Sequence, residues 1–366
     1  MTEDIAPESA APPAPPEEAA VPTQTAYPLP LEFTGNGSEF FRIWIVNIAL
    51  SVVTLGIYSA WATVRTRRYF YGKTTLDGTP FQFTARAIPI LIGRLIALAV
   101  FGTYSYLGAF KPAWAIGFLI FVILPLTPWI IVKSQRFRAR YSSWRNIRFG
   151  FDGTYGDALV AYVLLPIGAL FTLFIIQPLV WKQSAHFQYG NLFFGTQRFK
   201  FDGDRPGFWS TFWFAVLLFF GLVLLLGLLG YGLIEGSAAL PDITEGVFTA
   251  LFLVLIYAPL IGVVLFVQGR LFNAVLNGVS FGQGHFAASM SVPGWIWVQL
   301  SNLFLIIITF GLFYPWAKVR TMRFRVKSLG VIATQALVIE SAGDADDVGA
   351  AGAELASDFD FDISLF

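Results

Sequence analysis

The chain of 366 residues contains no cysteine, two histidines and few charged residues, which make up only 13% of the sequence. The absence of cysteine excludes disulfides, thiolate metal sites and cysteine nucleophiles. Neither His186 nor His285 has a carboxylate cluster beside it, and no nucleophile elbow is present. We therefore predict that the protein is not an enzyme, with no catalytic residue, metal site or other cofactor.

Hydrophobic residues are correspondingly abundant. They account for 56% of the chain, and the mean hydropathy is +0.65. A soluble domain is typically about 45–50% apolar and about 25% charged. Because the apolar residues also lie in long blocks, the composition predicts a multi-pass integral membrane protein.

Seven apolar segments can be recognised. Four runs approach the ~20 residues that a membrane-spanning helix needs: Ile88–Gly108, Trp114–Val132, Trp209–Ile234 and Val247–Val267. Three more are long enough but carry a glycine or proline near the middle: Ile43–Val64 at Gly56, Ala158–Trp181 at Pro166 and Gly168, and Trp295–Ala317 at Gly311 and Pro315.

Charge is distributed unevenly along the chain. All 24 lysine and arginine residues lie within 33–339, whereas both ends contain only acidic charges. We predict disordered tails at 1–32, which is rich in proline and alanine, and at 341–366, around a transmembrane domain at 33–340. Basic clusters directly follow apolar segments at 65–73, 133–148 and 318–327, which places these stretches in the cytoplasm. Basic charge in this position indicates anionic lipid headgroups as partners and not nucleic acid.

Parts of the sequence recur. WATVRTRR at Trp61–Arg68 returns as WAKVRTMR at Trp316–Arg323, and the Phe-Asp-Gly of 151–153 returns at 201–203. We interpret the chain as five internal repeat units, divided near Phe83, Phe151, Phe201 and Phe281. Each unit ends in basic and aromatic residues and a short Phe-x-Phe or Phe-Asp-Gly element, which predicts a strand and a turn.

The repeats bear on topology, because equivalent basic linkers should lie on one side of the membrane. The interrupted segments would then enter and leave on the cytoplasmic side as broken-helix hairpins. We predict an all-α polytopic fold with four full spans, three interrupted segments that re-enter, and short Phe-x-Phe strands on the cytoplasmic side. Seven plain crossings are the alternative.

Three polar residues within the apolar segments are candidates for an intramembrane site: Arg94, Asn47 and Asn302. An intramembrane arginine indicates a buried partner or a water-filled path, or else a side chain that reaches the headgroups. Asn47 and Asn302 could line a cavity or join helices by hydrogen bonds. A second candidate site is a rim for anionic lipid, since five arginines are interleaved with aromatic residues at the ends of the segments: Arg65, Arg68, Arg136, Arg320 and Arg323. Plain topological anchoring is the other interpretation of these arginines.

The stretch Phe33–Phe83 resembles the YjgN family of bacterial inner-membrane proteins. The resemblance is carried by Phe33-x-Gly35, by Thr54–Tyr58, by Trp61-Ala62, and by Arg65–Tyr71 followed by Thr75–Gly78, and it extends to about Ala336. It implies an inner-membrane location and brings no established activity, so no site residue is carried over. Genes of such proteins often lie beside that of a membrane-associated metallopeptidase. The resulting expectation is transport or lipid handling through a site framed by the repeats, or a non-enzymatic scaffold or regulatory partner of another membrane protein.

Overall fold

The computed structural model describes residues 27–204, 207–237, 244–282 and 284–333. It begins with two short strands, β1 (Tyr27–Leu29) and β2 (Leu31–Phe33), which lie upstream of the predicted domain boundary at residue 33. The rest of the predicted N-terminal tail and all of the predicted C-terminal tail lie outside the described residues.

Five helical hairpins follow, each returning to a strand. The first consists of α1 (Gly37–Val53) and α2 (Ser59–Lys73), and the second of α3 (Ala87–Phe110), α4 (Pro112–Phe118) and α5 (Leu124–Tyr141). The third consists of α6 (Tyr155–Leu159), α7 (Leu165–Phe171) and α8 (Gln177–Ala185). The fourth consists of α9 (Phe208–Ser237) and α10 (Thr244–Leu276), and the fifth of α11 (Val292–Ile308) and α12 (Tyr314–Lys327). Three π-helical turns continue these helices at Leu119–Ile123, Val160–Leu164 and His186–Gly190.

Between the hairpins lie the remaining strands, mostly in pairs joined by tight turns. They are β3 (Thr74–Leu76), β4 (Thr79–Phe83), β5 (Ser142–Trp144), β6 (Ile147–Phe151), β7 (Leu192–Phe194), β8 (Gln197–Phe201), β9 (Val279–Phe281), β10 (Gly284–Ala288) and β11 (Leu329–Ala333). The turn between β3 and β4 places Asp77 and Gly78 at φ of 50° and 70°, the conformation that an Asp-Gly hairpin turn adopts.

All eleven strands form one antiparallel sheet in the order β1-β11-β10-β9-β8-β7-β6-β5-β4-β3-β2. The two ends of this order, β1 and β2, are separated in the chain only by Pro30, so the sheet curls into a nearly closed barrel. Proline has no N–H to donate at this seam, and its carbonyl accepts a hydrogen bond from Asp77 N at 2.9 Å. The prediction of an all-α fold is therefore wrong.

The strand register places every hairpin on the same rim of the barrel. Strand β4 ends at Phe83, which pairs with Ser142 at the start of β5, and the second hairpin connects these two ends. The other hairpins join paired strand ends in the same way: Phe33 with Thr74, Phe151 with Leu192, Phe201 with Val279, and Ala288 with Leu329. The tight turns consequently lie on the opposite rim.

Buried and exposed side chains alternate along the strands, and the buried ones form the core of the barrel. Phe81 and Phe83 are buried on one face of β4, while Gln82 between them is exposed on the other. This period of two is the property that a Phe-x-Phe element gives a strand. Buried aromatic residues from neighbouring strands, among them Trp144 and Phe194, pack against the same cluster.

Each hairpin enters and leaves the barrel at adjacent positions. In the first, Thr34 N donates to Lys73 O at 2.9 Å, so the start of α1 and the end of α2 lie side by side. The same closure joins the other hairpins: Thr84 N to Tyr141 O, Asp152 N to Asn191 O, Asp202 N to Gly278 O, and Ser289 N to Ser328 O, at 2.8–3.1 Å. The first, third and fifth hairpins are the broken helices.

The tips of the first and fifth hairpins are alike. Gly56 and Gly311 both have φ of +89°, a conformation that glycine adopts without strain. In the first tip the Thr54 hydroxyl donates to Leu50 O at 2.7 Å and accepts from Tyr58 N at 2.9 Å. A backbone turn in an apolar surrounding needs such internal partners, because no water satisfies it there.

The third hairpin bends later than the predicted Pro166 and Gly168. Its turn contains Leu173 and Phe174, at φ of 49° and 64°. Pro166 directly follows the π-helical turn Val160–Leu164 inside the continuous helical stretch Tyr155–Phe171, so the helix continues through this proline.

Four helical stretches in the described chain are long and apolar enough to cross a membrane: Ala87–Phe110, Pro112–Tyr141, Phe208–Gly232 and Pro259–Leu276. Their surfaces are largely exposed and apolar. Leu217, Leu224 and Leu228 of α9, for example, each expose more than half of their surface. Such a surface requires lipid around it.

Candidate functional site

A recurring polar contact ties four of the five hairpins, the first, second, fourth and fifth, to the next one. Arg68 Nη2 donates to Ala85 O at 2.9 Å, and Arg136 Nη2 donates to Gly153 O at 3.0 Å. Arg323 Nη2 donates in the same way to Gly35 O at 2.9 Å. In each case an arginine on the returning helix binds the linker that leads into the neighbouring hairpin.

Asn273 makes the corresponding contact in the fourth hairpin. Its side chain donates to Met290 O at 2.9 Å and accepts from Met290 N at 2.7 Å. Sequence reasoning missed Asn273, although its distance from the end of the hairpin matches that of Arg68. In the third hairpin the residue at the corresponding position is His186, whose ring lies 6.3 Å from that of Phe201.

The predicted arginine rim is thus divided by the structure. Arg68, Arg136 and Arg323 hold the barrel linkers, while Arg320 binds within its own hairpin and Arg65 is exposed. Lipid binding by this rim stays a prediction.

The fifth hairpin contains a polar cluster around Asn302. The Asn302 amide donates to Ala317 O at 3.3 Å and to Thr321 Oγ1 at 3.1 Å. Arg320 Nη1 donates to Asn302 Oδ1 at 3.2 Å and to Ser301 Oγ at 2.8 Å. Asn302 therefore joins α11 to α12 by hydrogen bonds that satisfy both ends of its amide.

The first hairpin has the same residue types with fewer contacts. Asn47 Nδ2 lies 3.5 Å from Ala62 O, and Asn47 Oδ1 is buried with no hydrogen-bond partner in the described part of the chain. Arg94 of α3 donates from Nη2 to Thr63 Oγ1 at 2.9 Å. Arg94 and Asn47 thus contact consecutive residues of α2, whereas Asn302 lies in the fifth hairpin.

The most distinctive site is a cavity of about 200 Å³ inside the barrel. Strands β2 through β11 all contribute lining residues, and most of these are aromatic or aliphatic, including Phe81, Trp144 and Phe194. Helix ends at the hairpin rim supply the rest, with Tyr71 from α2 and Ala139 from α5. None of the intramembrane or rim candidates from the sequence lines this cavity.

Polar groups enter the cavity mainly from two neighbouring hairpins. Gln135 and Arg138 come from α5, and Gln188 and Tyr189 come from the π-helical turn after α8. In the sequence Arg138 belongs to a basic cluster that was interpreted only as a topology signal. Arg138 lies one turn before a strand pair that contains Phe-x-Phe, and this position could have distinguished it from the other basic residues of the cluster. The position indicates a cavity residue only when the strands are known to form a barrel.

Two carboxylates that lie outside the hairpins, those of Asp77 and Asp204, are paired with cations. Arg145 Nη2 lies 2.6 Å from Asp77 Oδ2, and Lys182 Nζ lies 2.6 Å from Asp204 Oδ1. The hydrogen bond and the charge of Lys182 lower the pKa of the exposed Asp204 carboxyl. Within the described ranges no group of three His, Cys, Asp or Glu side chains could hold a metal ion.

Comparison with known proteins places this chain in a family. Residues 28–358 match the family DUF898, described as "Bacterial protein of unknown function". The chain is 25% identical to the inner membrane protein YjgN of Salmonella typhimurium, over 79% of this chain and 85% of that protein. It is 23% identical to the inner membrane proteins YjgN of Escherichia coli K12 and of Escherichia coli O157:H7, over 86% of this chain and 89% of each relative. No solved structure matches the chain.

The resemblance to YjgN inferred from the sequence is confirmed, and so is the inner-membrane location, which agrees with the four helices able to cross a membrane. This inner-membrane protein belongs to the DUF898 family.

Proposed function

We propose that this protein handles lipid by holding the hydrocarbon chain of a membrane-derived amphiphile inside its barrel. The observation that carries the proposal is the apolar cavity of about 200 Å³ enclosed by ten of the eleven strands. Small barrels either fill their interior with side chains or keep room for one small ligand. An apolar cavity of about 150 Å³ is already large enough to bind benzene.

The position of the cavity suits a lipid ligand. It lies inside the barrel at the ends of α2 and α5, and α5 belongs to a hairpin whose helices are long and apolar enough to cross a membrane. Ligand sites in barrels are commonly found at the barrel mouth. A chain drawn from the adjacent leaflet would therefore have a short path into the barrel.

The predicted arginine rim supports this function. Arg65 and Arg68 are exposed near the hairpin rim, where basic side chains attract anionic headgroups with about 1 kcal/mol each. Arg68 also binds a linker, but its guanidinium has several donors. The rim would thus concentrate anionic lipid around the cavity.

We also propose that the five hairpins are copies of one ancestral unit. The tie between hairpins spans 17 residues from Arg68, from Arg136 and from Asn273 alike. The asparagine contact within a broken hairpin spans 15 residues from both Asn47 and Asn302.

The lipid proposal can be tested by filling the cavity. Leu192 lines the cavity from β7, so Leu192→Trp should occupy the space that an acyl chain would take. Gln82→Trp places the same side chain on the exposed face of β4 and serves as the matched control. Native mass spectrometry of delipidated protein titrated with decanol should show adducts on the wild type and on Gln82→Trp, and their loss on Leu192→Trp.

Equal adduct formation by all three proteins would contradict the proposal. If the wild type binds no decanol and instead co-purifies stoichiometrically with another membrane protein, the scaffold alternative replaces it.

A further inference from the structure

We infer that the ligand of the barrel cavity is a single-chain amphiphile with an anionic head, and that Arg138 binds this head. The inference rests on the proposed function and specifies its substrate class. It starts from the arrangement of polar and apolar groups around the cavity, which differs between the hairpin side and the strands.

Most of the polar side chains that line the cavity are gathered where helices reach the barrel, whereas Gln197 lies at the start of β8, on the side of the tight turns. Gln135 and Arg138 lie one turn apart on α5, and Gln188 and Tyr189 face the same cavity from the next hairpin. The strands contribute mainly aromatic and aliphatic side chains. The cavity therefore has a polar end and an apolar body, which is the shape of an amphiphile.

This polar end is held in place by its own hydrogen bonds. The Gln188 amide donates from Nε2 to the Tyr162 hydroxyl at 2.9 Å. Ser142 Oγ donates to the carbonyl of Arg138 at 2.8 Å and lies 3.2 Å from the Tyr71 hydroxyl. Gln188 and the backbone at Arg138 are thus already ordered before a head binds, which lowers the entropic cost of binding.

The positive charge of Arg138 indicates which class of ligand head group the cavity would bind. Arg138 is the one charged residue among the described residues that line the cavity, and an anionic head would gain charge-assisted hydrogen bonds from its guanidinium. Arginine presents planar paired donors that match both carboxylate and phosphate. Carboxylate and phosphate heads share this chemistry.

The volume of the cavity limits the number of hydrocarbon chains that its ligand can have. A water-sized group takes about 30 Å³, so a cavity of about 200 Å³ holds only about seven such groups. That volume accommodates one chain of moderate length or the first part of a longer one, and it excludes the two full chains of a phospholipid. A fatty acid or a lysophospholipid satisfies both conditions.

Competition between ligands that differ only in their heads tests the inference. Delipidated protein is titrated with decanoate, decyl phosphate and decanol, and bound fractions are measured by native mass spectrometry. The wild type should bind at least one of the two anions about tenfold or more tightly than decanol. A hydrogen bond to a charged group typically changes a dissociation constant by about this factor. The two anionic arms distinguish a carboxylate source from a phosphate source.

Variants of adjacent arginines supply the control. Arg138→Met should lose the preference for anions and keep decanol binding. Arg138→Lys should retain part of the preference for anions. Arg140 is also partly buried on α5 but does not line the cavity, so Arg140→Met should bind like the wild type. A thermal unfolding curve for each variant shows that it is folded.

The outcomes separate the two proposals. Equal binding of decanol and both anions by the wild type would overturn the anionic class and leave the lipid proposal standing. Absence of binding of all three ligands would overturn both.

Discussion

Arg323 and Gly35 are 288 residues apart in the chain, and the guanidinium of one donates a 2.9 Å hydrogen bond to the carbonyl of the other. This contact joins the last hairpin to the first. Together with the pairing of β1 on β11, it converts a linear series of hairpins into a ring. The equivalent contacts of Arg68 and Arg136 join neighbours along the chain, so only Arg323 has to close a long loop.

Removing the closing contact should destabilise the ring. Arg323→Met eliminates a charge-assisted hydrogen bond at a partly exposed site, and we expect a loss of about 1 kcal/mol, or about 2 °C in Tm. Thermal unfolding in a mild detergent measures it. Arg65→Met, at an exposed arginine of the first hairpin, should leave Tm unchanged. An equal loss in both variants would show that general charge, and not the contact with Gly35, is responsible.

The two buried asparagines should respond differently to substitution. Asn302→Leu removes an amide with three hydrogen bonds and leaves Arg320 without one acceptor, so a loss of about 1–3 kcal/mol is expected. Asn47→Leu removes a single long contact and an oxygen that has no partner in the described chain, and should be near neutral. Denaturant unfolding of both variants in the same detergent checks this order, and a greater loss for Asn47→Leu would refute it.

The hairpin tip offers a test of polar satisfaction in an apolar surrounding. Thr54→Val keeps the shape of the side chain but removes the acceptor for Tyr58 N, and should cost about 1 kcal/mol. Thr103 of α3 makes only the contact from its hydroxyl to Ala99 O, so Thr103→Val is the matched control with no expected loss. Retained stability of Thr54→Val in lipid bicelles would mean that water reaches the tip.

The absence of cysteine makes the topology directly testable by thiol labelling. Lys200→Cys lies on the exposed face of β8 and should react with an impermeant reagent only after spheroplasts are permeabilised. Lys111→Cys, at the turn between α3 and α4, should react in intact spheroplasts. Labelling of Lys200→Cys from outside would instead place the barrel on the periplasmic side of the membrane.

Local pattern was sufficient to find the helices. The four long apolar runs correspond to helical stretches able to span a membrane, and the glycine signal located two of the three bends, at Gly56 and Gly311. The third bend was misplaced because a proline was taken as a breaker. Pro166 lies inside the continuous helical stretch Tyr155–Phe171, directly after a π-helical turn, and the turn of the hairpin contains Leu173 and Phe174, which carry no turn signal.

The barrel could not be predicted in the same way. Strands of three to five residues such as β5 and β8 are too short for a periodicity argument, and Phe-x-Phe specifies a face but no partner. Closure depends on Tyr27–Leu29 pairing with β11 from the other end of the chain. The cavity and Arg138 depend on that closure, so the candidate site was missed although its residues were visible in the sequence.

The unequal depth of the hairpins has a mechanical consequence for the bilayer. At 1.5 Å per residue, the 17 residues of α1 and of α11 reach about 25 Å, while the 24 residues of α3 reach about 36 Å. The short hairpins end in exposed apolar tips such as Leu55 and Phe310, so they displace lipid in the leaflet nearest the ring more than in the distal one. We therefore expect the membrane part of the protein to taper away from the barrel, and the protein to partition toward membrane whose curvature accommodates that taper.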